Sequence, residues 1–122
     1  MFRSSALAIT ILALAASPSL AASGSFKGAK GHTTTGSVTV TEKGGKLVIR
    51  LGSNFRLDGA PDPYVSLGNG SRPVKGGTAG ILTKLKGAGT YSVPATAITK
   101  GAKEVVIWCK KYAVPLGVAK LK

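Results

Sequence analysis

The side chains best suited to nucleophilic, ligating or proton-carrying chemistry are few in this sequence: Cys109, His32 and the four carboxylates Glu42, Asp58, Asp62 and Glu104. A Ser-His-Asp site needs a base and an orienting acid. His32 is the only imidazole, it stands in Gly31-His32-Thr33, and no G-x-S-x-G elbow is present. Glycosidase chemistry needs two facing carboxylates, whereas Asp58 before Gly59 and Asp62 before Pro63 are ordinary turn chemistry. The glycines fit neither the dinucleotide pattern nor the P-loop. A single histidine argues against a multi-histidine metal site, and a single cysteine excludes an internal disulfide. Hydrolase, nucleotide and multi-histidine metal chemistry are therefore not expected.

Cys109 is the one nucleophile left to weigh, and two readings stay open. Alternation along the preceding run places it on one face with Val105 and Ile107, which describes a buried, inert thiol. Lys110 and Lys111 follow at once, and ammonium groups beside a cysteine at an exposed strand end favour a reactive one. On this second reading Lys111 lies on the Cys109 side. Trp108 and Lys110 face the other way, with Trp108 packing the strand.

The elements that position these residues begin after a leader. Met1 to Ala21 reads as a secretory signal peptide: Arg3 is its basic start, Ala6 to Ala16 its uncharged apolar core, and Ser19-Leu20-Ala21 its cleavage site. The apolar run is shorter than the roughly 20 residues that a membrane-spanning helix requires. Residues 22–122 then form one exported domain, periplasmic or extracellular, with no transmembrane segment of its own.

The sequence carries 17 Lys and Arg against 4 Asp and Glu, a formal net charge of +13. The lysines are scattered, and lysine predominates over arginine, which suits solubility and diffuse attraction better than bidentate recognition. Nucleic acid is not an expected partner for an exported chain. Diffuse binding to anionic envelope polymers or lipids is compatible with the charge.

From Ser23 onward no helical period is sustained, and short strands alternate with Gly, Pro, Asn and Asp. Ser37 to Glu42 and Lys46 to Leu51 form a hairpin about Lys43-Gly44-Gly45. Ser53 to Pro63 is a loop, in which Pro61 and Pro63 should hold Ala60 and Asp62 extended. The Asp62 carboxylate is expected to accept from a nearby backbone N–H. Tyr64 to Leu67 is a strand, followed by a Gly-rich loop to about Gly80. Ile81 to Lys86 alternates as a further strand with Ile81 and Leu85 inward, and Thr90 to Val93 is another. Ala95 to Lys103 has room for one helical turn. Glu104 to Cys109 is a continuous apolar run, the mark of a strand covered on both faces, and Val114 to Leu121 closes the chain. Seven or eight short strands at this spacing predict an all-β sandwich or barrel-like domain.

The stretch Trp108-Cys109-Lys110, with Tyr112, Val114 and Gly117 behind it, resembles the C-terminal signature of the electron-transfer domain family called DM-thirteen. Asn54-Phe55 leading through Pro61-Asp62 to Tyr64 is similar to that family's central segment. Gly24-Ser25-Phe26, His32 and Gly36-Ser37-Val38 match its opening, and Tyr91-Ser92-Val93-Pro94 matches a later strand. The resemblance implies a β-sandwich-like electron-transfer domain. Its cysteine maps onto Cys109, acting as a bare thiol or as a ligand to a prosthetic group such as haem, to which His32 would be the second ligand. The electron donor and acceptor would be separate molecules. Ala60 stands where the family has glycine, and Pro115-Leu116 replaces a polar-Phe pair. The alternative is a non-enzymatic envelope or surface-binding β module in which Cys109 is structural.

Overall fold

Turn chemistry sets the topology. Gly44 and Gly45 both adopt positive φ, 58° and 78°, the backbone that a two-residue type I′ turn demands and that glycine adopts without a Cβ penalty. That turn joins β3 (Ser37–Lys43) to β4 (Lys46–Leu51) in the expected hairpin, with Lys43 paired to Lys46 and Val40 opposite Ile49. The computed structural model describes residues 21–122, so the predicted leader, Ala21 apart, lies outside the described residues.

The remaining elements are β1 (Ala21–Gly28), β2 (Thr34–Thr35), β5 (Arg56–Leu57), β6 (Pro63–Asn69), β7 (Arg72–Ile81), β8 (Gly89–Pro94), β9 (Glu104–Cys109) and β10 (Val114–Lys120). Among the described residues they form an eight-stranded antiparallel sheet in the order β7-β6-β9-β10-β1-β3-β4-β8, and β2 pairs separately with β5. The sheet curls into a nearly closed barrel, bringing β7 beside β8. Across that seam the Tyr91 hydroxyl accepts from the Thr83 N–H at 3.3 Å. The fold is thus all-β and barrel-like, as the strand spacing predicts.

Alternate residues fill the barrel: Val38, Val40, Ile49, Val65, Leu67, Val105, Ile107 and Ala119 are buried in one cluster. Phe55 and Leu57, from the loop segment around β5, plug one end. Phe55 meets Phe26 edge-on with ring centroids 5.3 Å apart. Truncating so buried a ring costs about 3–5 kcal/mol. The apolar run of β9 lies between β6 and β10, as a strand covered on both faces should. One helical turn, Ala97–Lys100, occupies the space between β8 and β9, capped by Thr96, which accepts from the Thr99 N–H.

Three expectations fail for identifiable reasons. The Gly-rich segment to Gly80 is not a loop but most of β7, whose pairing to β6 slips at Val65/Ser66 and again at Ser66/Gly68. Those irregularities erase the period-2 pattern on which strand recognition rests. Ile81 to Lys86 is not a strand. β7 ends at Ile81 and the chain crosses the barrel end, with the Leu82 N–H on the Pro63 carbonyl and the Leu85 carbonyl taken by the Leu57 N–H, both at 2.8 Å. Leu82 therefore points inward while Ile81 and Leu85 are 52% and 43% exposed. The third failure is Asp62, which is not extended: its φ is +59°. Tertiary bonds to β9, described below, override the local preference.

Candidate functional site

Cys109 is the last residue of β9, and it is paired with the first residue of each neighbouring strand, Pro63 of β6 and Val114 of β10. The sulfur therefore lies at the barrel mouth, on the inward face with Val105 and Ile107. It is not open to solvent: Cys109 is 1% exposed, and its thiol donates to the Pro61 carbonyl at 3.1 Å. The next carbonyl, that of Asp62, accepts from the Lys110 N–H at 3.2 Å. For two consecutive carbonyls to face the end of β9, the chain must twist between them, and the left-handed Asp62 supplies the twist. Aspartate tolerates that conformation better than most residues. Among the described residues the Asp62 carboxylate makes no hydrogen bond; the backbone does its work instead.

Lys110 lies on the outer face with Trp108, where alternation places it, and both flanking lysines reach tyrosine rings. Lys110 Nζ lies 5.2 Å from the centre of the Tyr64 ring, and Lys111 Nζ lies 5.5 Å from that of Tyr112. Both ammonium groups are thus engaged with aromatic faces, an attraction worth about 0.5–1 kcal/mol at an exposed site. Trp108 is half-buried on the outer face, opposite Tyr64 in one neighbouring strand and Pro115 in the other. Tyr64 in turn faces Ile81 of β7. A continuous outer row, Ile81-Tyr64-Trp108-Pro115, therefore crosses four strands one residue away from the buried sulfur.

His32 and Asp58 meet at the same end of the barrel. His32 Nδ1 is 3.0 Å from Asp58 Oδ1, and the Thr33 N–H donates to Asp58 Oδ2 at 3.0 Å. The Thr33 N–H, and after it His32, hold the Asp58 carboxyl below the usual carboxylate range. Asp58 is thus a tether joining two loops and does more than shape its own turn.

These placements do not fit a haem. The Cys109 sulfur is packed in the core, 1% exposed, and donates to a backbone carbonyl, so it presents no open ligand position. Among the described residues neither Cys109 nor His32 lines the two main cavities, one near the start of β9 and the other on the β1–β10 face. No three His, Cys, Asp or Glu side chains gather among the described residues.

Residues 25–121 match the family described as Electron transfer DM13. The chain belongs to the DM13 family. No curated protein and no solved structure matches it. The family description makes this an electron-transfer domain, and the match spans every strand from the middle of β1 to the end of β10.

Several DM13 signature residues now have physical roles. A Cβ on Gly117 would stand 2.5 Å from the Thr34 Cβ, so only glycine lets β10 approach β2. Thr34 uses that proximity to donate Oγ1–H to the Leu116 carbonyl at 2.8 Å. Leu116, a departure from the DM13 pattern, is buried in the core, and Ala60, the other, packs against it. Nothing in the residue types marks the Pro61 carbonyl as the sulfur's partner, because backbone acceptors carry no residue code. The His32–Asp58 pair was also missed, although a lone imidazole and a nearby-in-motif carboxylate were its only available signal.

Proposed function

We propose that this DM13 domain transfers electrons through the thiol of Cys109. The observation that carries the reading is the position of Sγ: it sits at the barrel mouth beneath a loop, not beneath a strand. Displacing the Pro61-Asp62 segment uncovers it without breaking a sheet ladder. The uncovered sulfur, its proton given to solvent, attacks one sulfur of a partner disulfide. A Cys109–partner disulfide forms, and the other partner sulfur leaves as a thiolate that takes up a proton. A donor thiol then attacks the partner sulfur of that mixed disulfide, restoring Cys109, and a second thiol of the donor resolves the resulting donor–partner disulfide, so that the acceptor leaves as a dithiol and the donor as a disulfide. Acceptor and donor are separate molecules.

Oxidised glutathione tests this on the mature protein. A single mixed disulfide at Cys109 under native conditions, reversed by reduced glutathione and absent from Cys109→Ser, is expected by mass spectrometry. An adduct that forms only in denaturant removes the redox reading and leaves the sulfur as core packing.

We further propose that the domain works after export. Arg3, the apolar core and Ser19-Leu20-Ala21 support cleavage after Ala21. Such a cut retains Ala22 to Gly28, which pairs with β3 and β10. The mass of the secreted chain tests it: an intact N-terminus in a cytoplasmic fraction contradicts the proposal.

A further inference from the structure

The outer side of the β1–β10 seam holds a groove of about 720 Å³, within the usual size range of binding pockets. Lys27, Lys120 and Lys122 supply its cations, and Ser23, Ser25 and Ser71 its hydroxyls. Among the described residues no carboxylate side chain lines it. Glu104, opposite Lys120 in register, is 7% exposed and spends Oε1 on the Ser71 N–H at 2.7 Å. Scattered in sequence, these lysines and hydroxyls are gathered by the pairing of β1 with β10 and by the β6–β7 turn.

We propose that this groove binds a linear phosphate polymer. Lysine is a compact point charge that suits phosphate oxygens, and the hydroxyls donate to them. Lys120 ends β10 and Lys122 lies two residues beyond it in extended chain bonded to the Ser23 backbone, a separation of about 6.6 Å at the usual strand rise. That spacing lets the two ammonium groups engage separate phosphates of one chain, which a single ion does not offer. The concave shape suits a strand-like ligand over a planar bilayer. Among the described residues no aromatic side chain lines the groove, so they offer a base-bearing polymer no stacking platform there.

The test uses linear inorganic polyphosphate as probe and the mature protein. Amide shifts on titration should concentrate on β1, the end of β10 and Ser71. Lys27→Gln/Lys120→Gln/Lys122→Gln should weaken binding at least tenfold and reduce the log–log salt slope by about 2. The charge-matched control Lys43→Gln/Lys46→Gln/Lys84→Gln should change it less than twofold. Equal losses in both triples, or shifts spread over the whole surface, would show diffuse attraction only and overturn the site. So would inorganic phosphate binding as tightly as the polymer, or anionic vesicles binding more tightly with the same sensitivity to the groove lysines.

Discussion

The thiol of Cys109 donates to the carbonyl of Pro61 across 48 residues of sequence, at 3.1 Å. This contact joins the end of a central strand to a loop that no strand ladder restrains. The sulfur is almost fully buried, and the proposed redox role requires this loop to move aside. The loop's own backbone is held to the same strand end by the Lys110 N–H on the Asp62 carbonyl. Loop and sulfur are therefore covered or uncovered together.

Alkylation of Cys109 in the folded protein should follow opening of this loop. Pro61→Gly keeps the backbone carbonyl but frees the chain, favouring open forms by about 0.4–1 kcal/mol. The alkylation rate should rise about two- to fivefold in buffer while changing little in denaturant. A rate that tracks only the global unfolding equilibrium, in wild type and variant alike, would mean that the loop does not open separately.

Asp58 should give the protein part of its acid sensitivity. Its folded carboxyl is held below the ordinary aspartate value of 3.8, chiefly by the Thr33 N–H and then by His32. The folded state therefore binds fewer protons than the unfolded one as pH falls through this region. The resulting stability is present above about pH 3.8 and is lost as pH drops through the lowered folded value. Urea midpoints measured against pH should lose that component in Asp58→Asn. An unchanged acid limb would show that the tether has no energetic weight.

Gly117→Ala should destabilise the domain by about 1–3 kcal/mol, the usual cost of overpacking. The added Cβ meets the Thr34 side chain at 2.5 Å, and that side chain is itself bonded to the Leu116 carbonyl. Denaturant titration measures the loss. Val118→Ala, on the neighbouring outward position, is the comparison that should cost less.

What was legible in the sequence follows from how directly side-chain type encodes position. Val38 and Val40 against Leu47 and Ile49 carry a clean alternation and a Gly-Gly turn, so that hairpin reads off directly. The apolar run to Cys109 likewise marks a strand covered on both faces. β1 was hidden because Ser23, Gly24 and Ser25 carry no apolar period around the lone Phe26. β7 was hidden by its glycines and its two register slips. At the site, Cys109 was evident as the one thiol, but its burial depended on Pro61 closing over it. Lys110 and Lys111 were drawn to tyrosine rings that local alternation cannot place.

The last prediction concerns the opposite end of the same strand. Gly70 and Ser71 both have φ of 64°, the backbone of a type I′ hairpin turn between β6 and β7. The Ser71 N–H donates to Glu104 Oε1 at 2.7 Å, and Glu104 opens β9 just as Cys109 ends it. A left-handed serine costs roughly 1–2 kcal/mol, partly offset in any glycine replacement by greater unfolded-state freedom. Ser71→Gly should therefore raise the urea midpoint slightly. Glu104→Gln keeps an acceptor but exchanges a charged bond for a neutral one, losing about 1 kcal/mol; Glu104→Ala strands the donor and should lose about 2–3 kcal/mol. If Glu104→Ala matches wild type, the carboxylate does not pin the turn. Cys109 alkylation in the same variants separates the two ends of β9. In Glu104→Ala it should rise only as far as the global stability falls, whereas Pro61→Gly should raise it beyond that. A local increase in Glu104→Ala as large as that of Pro61→Gly would mean that the strand moves as one piece, and that the Pro61 loop is not the element that uncovers the sulfur.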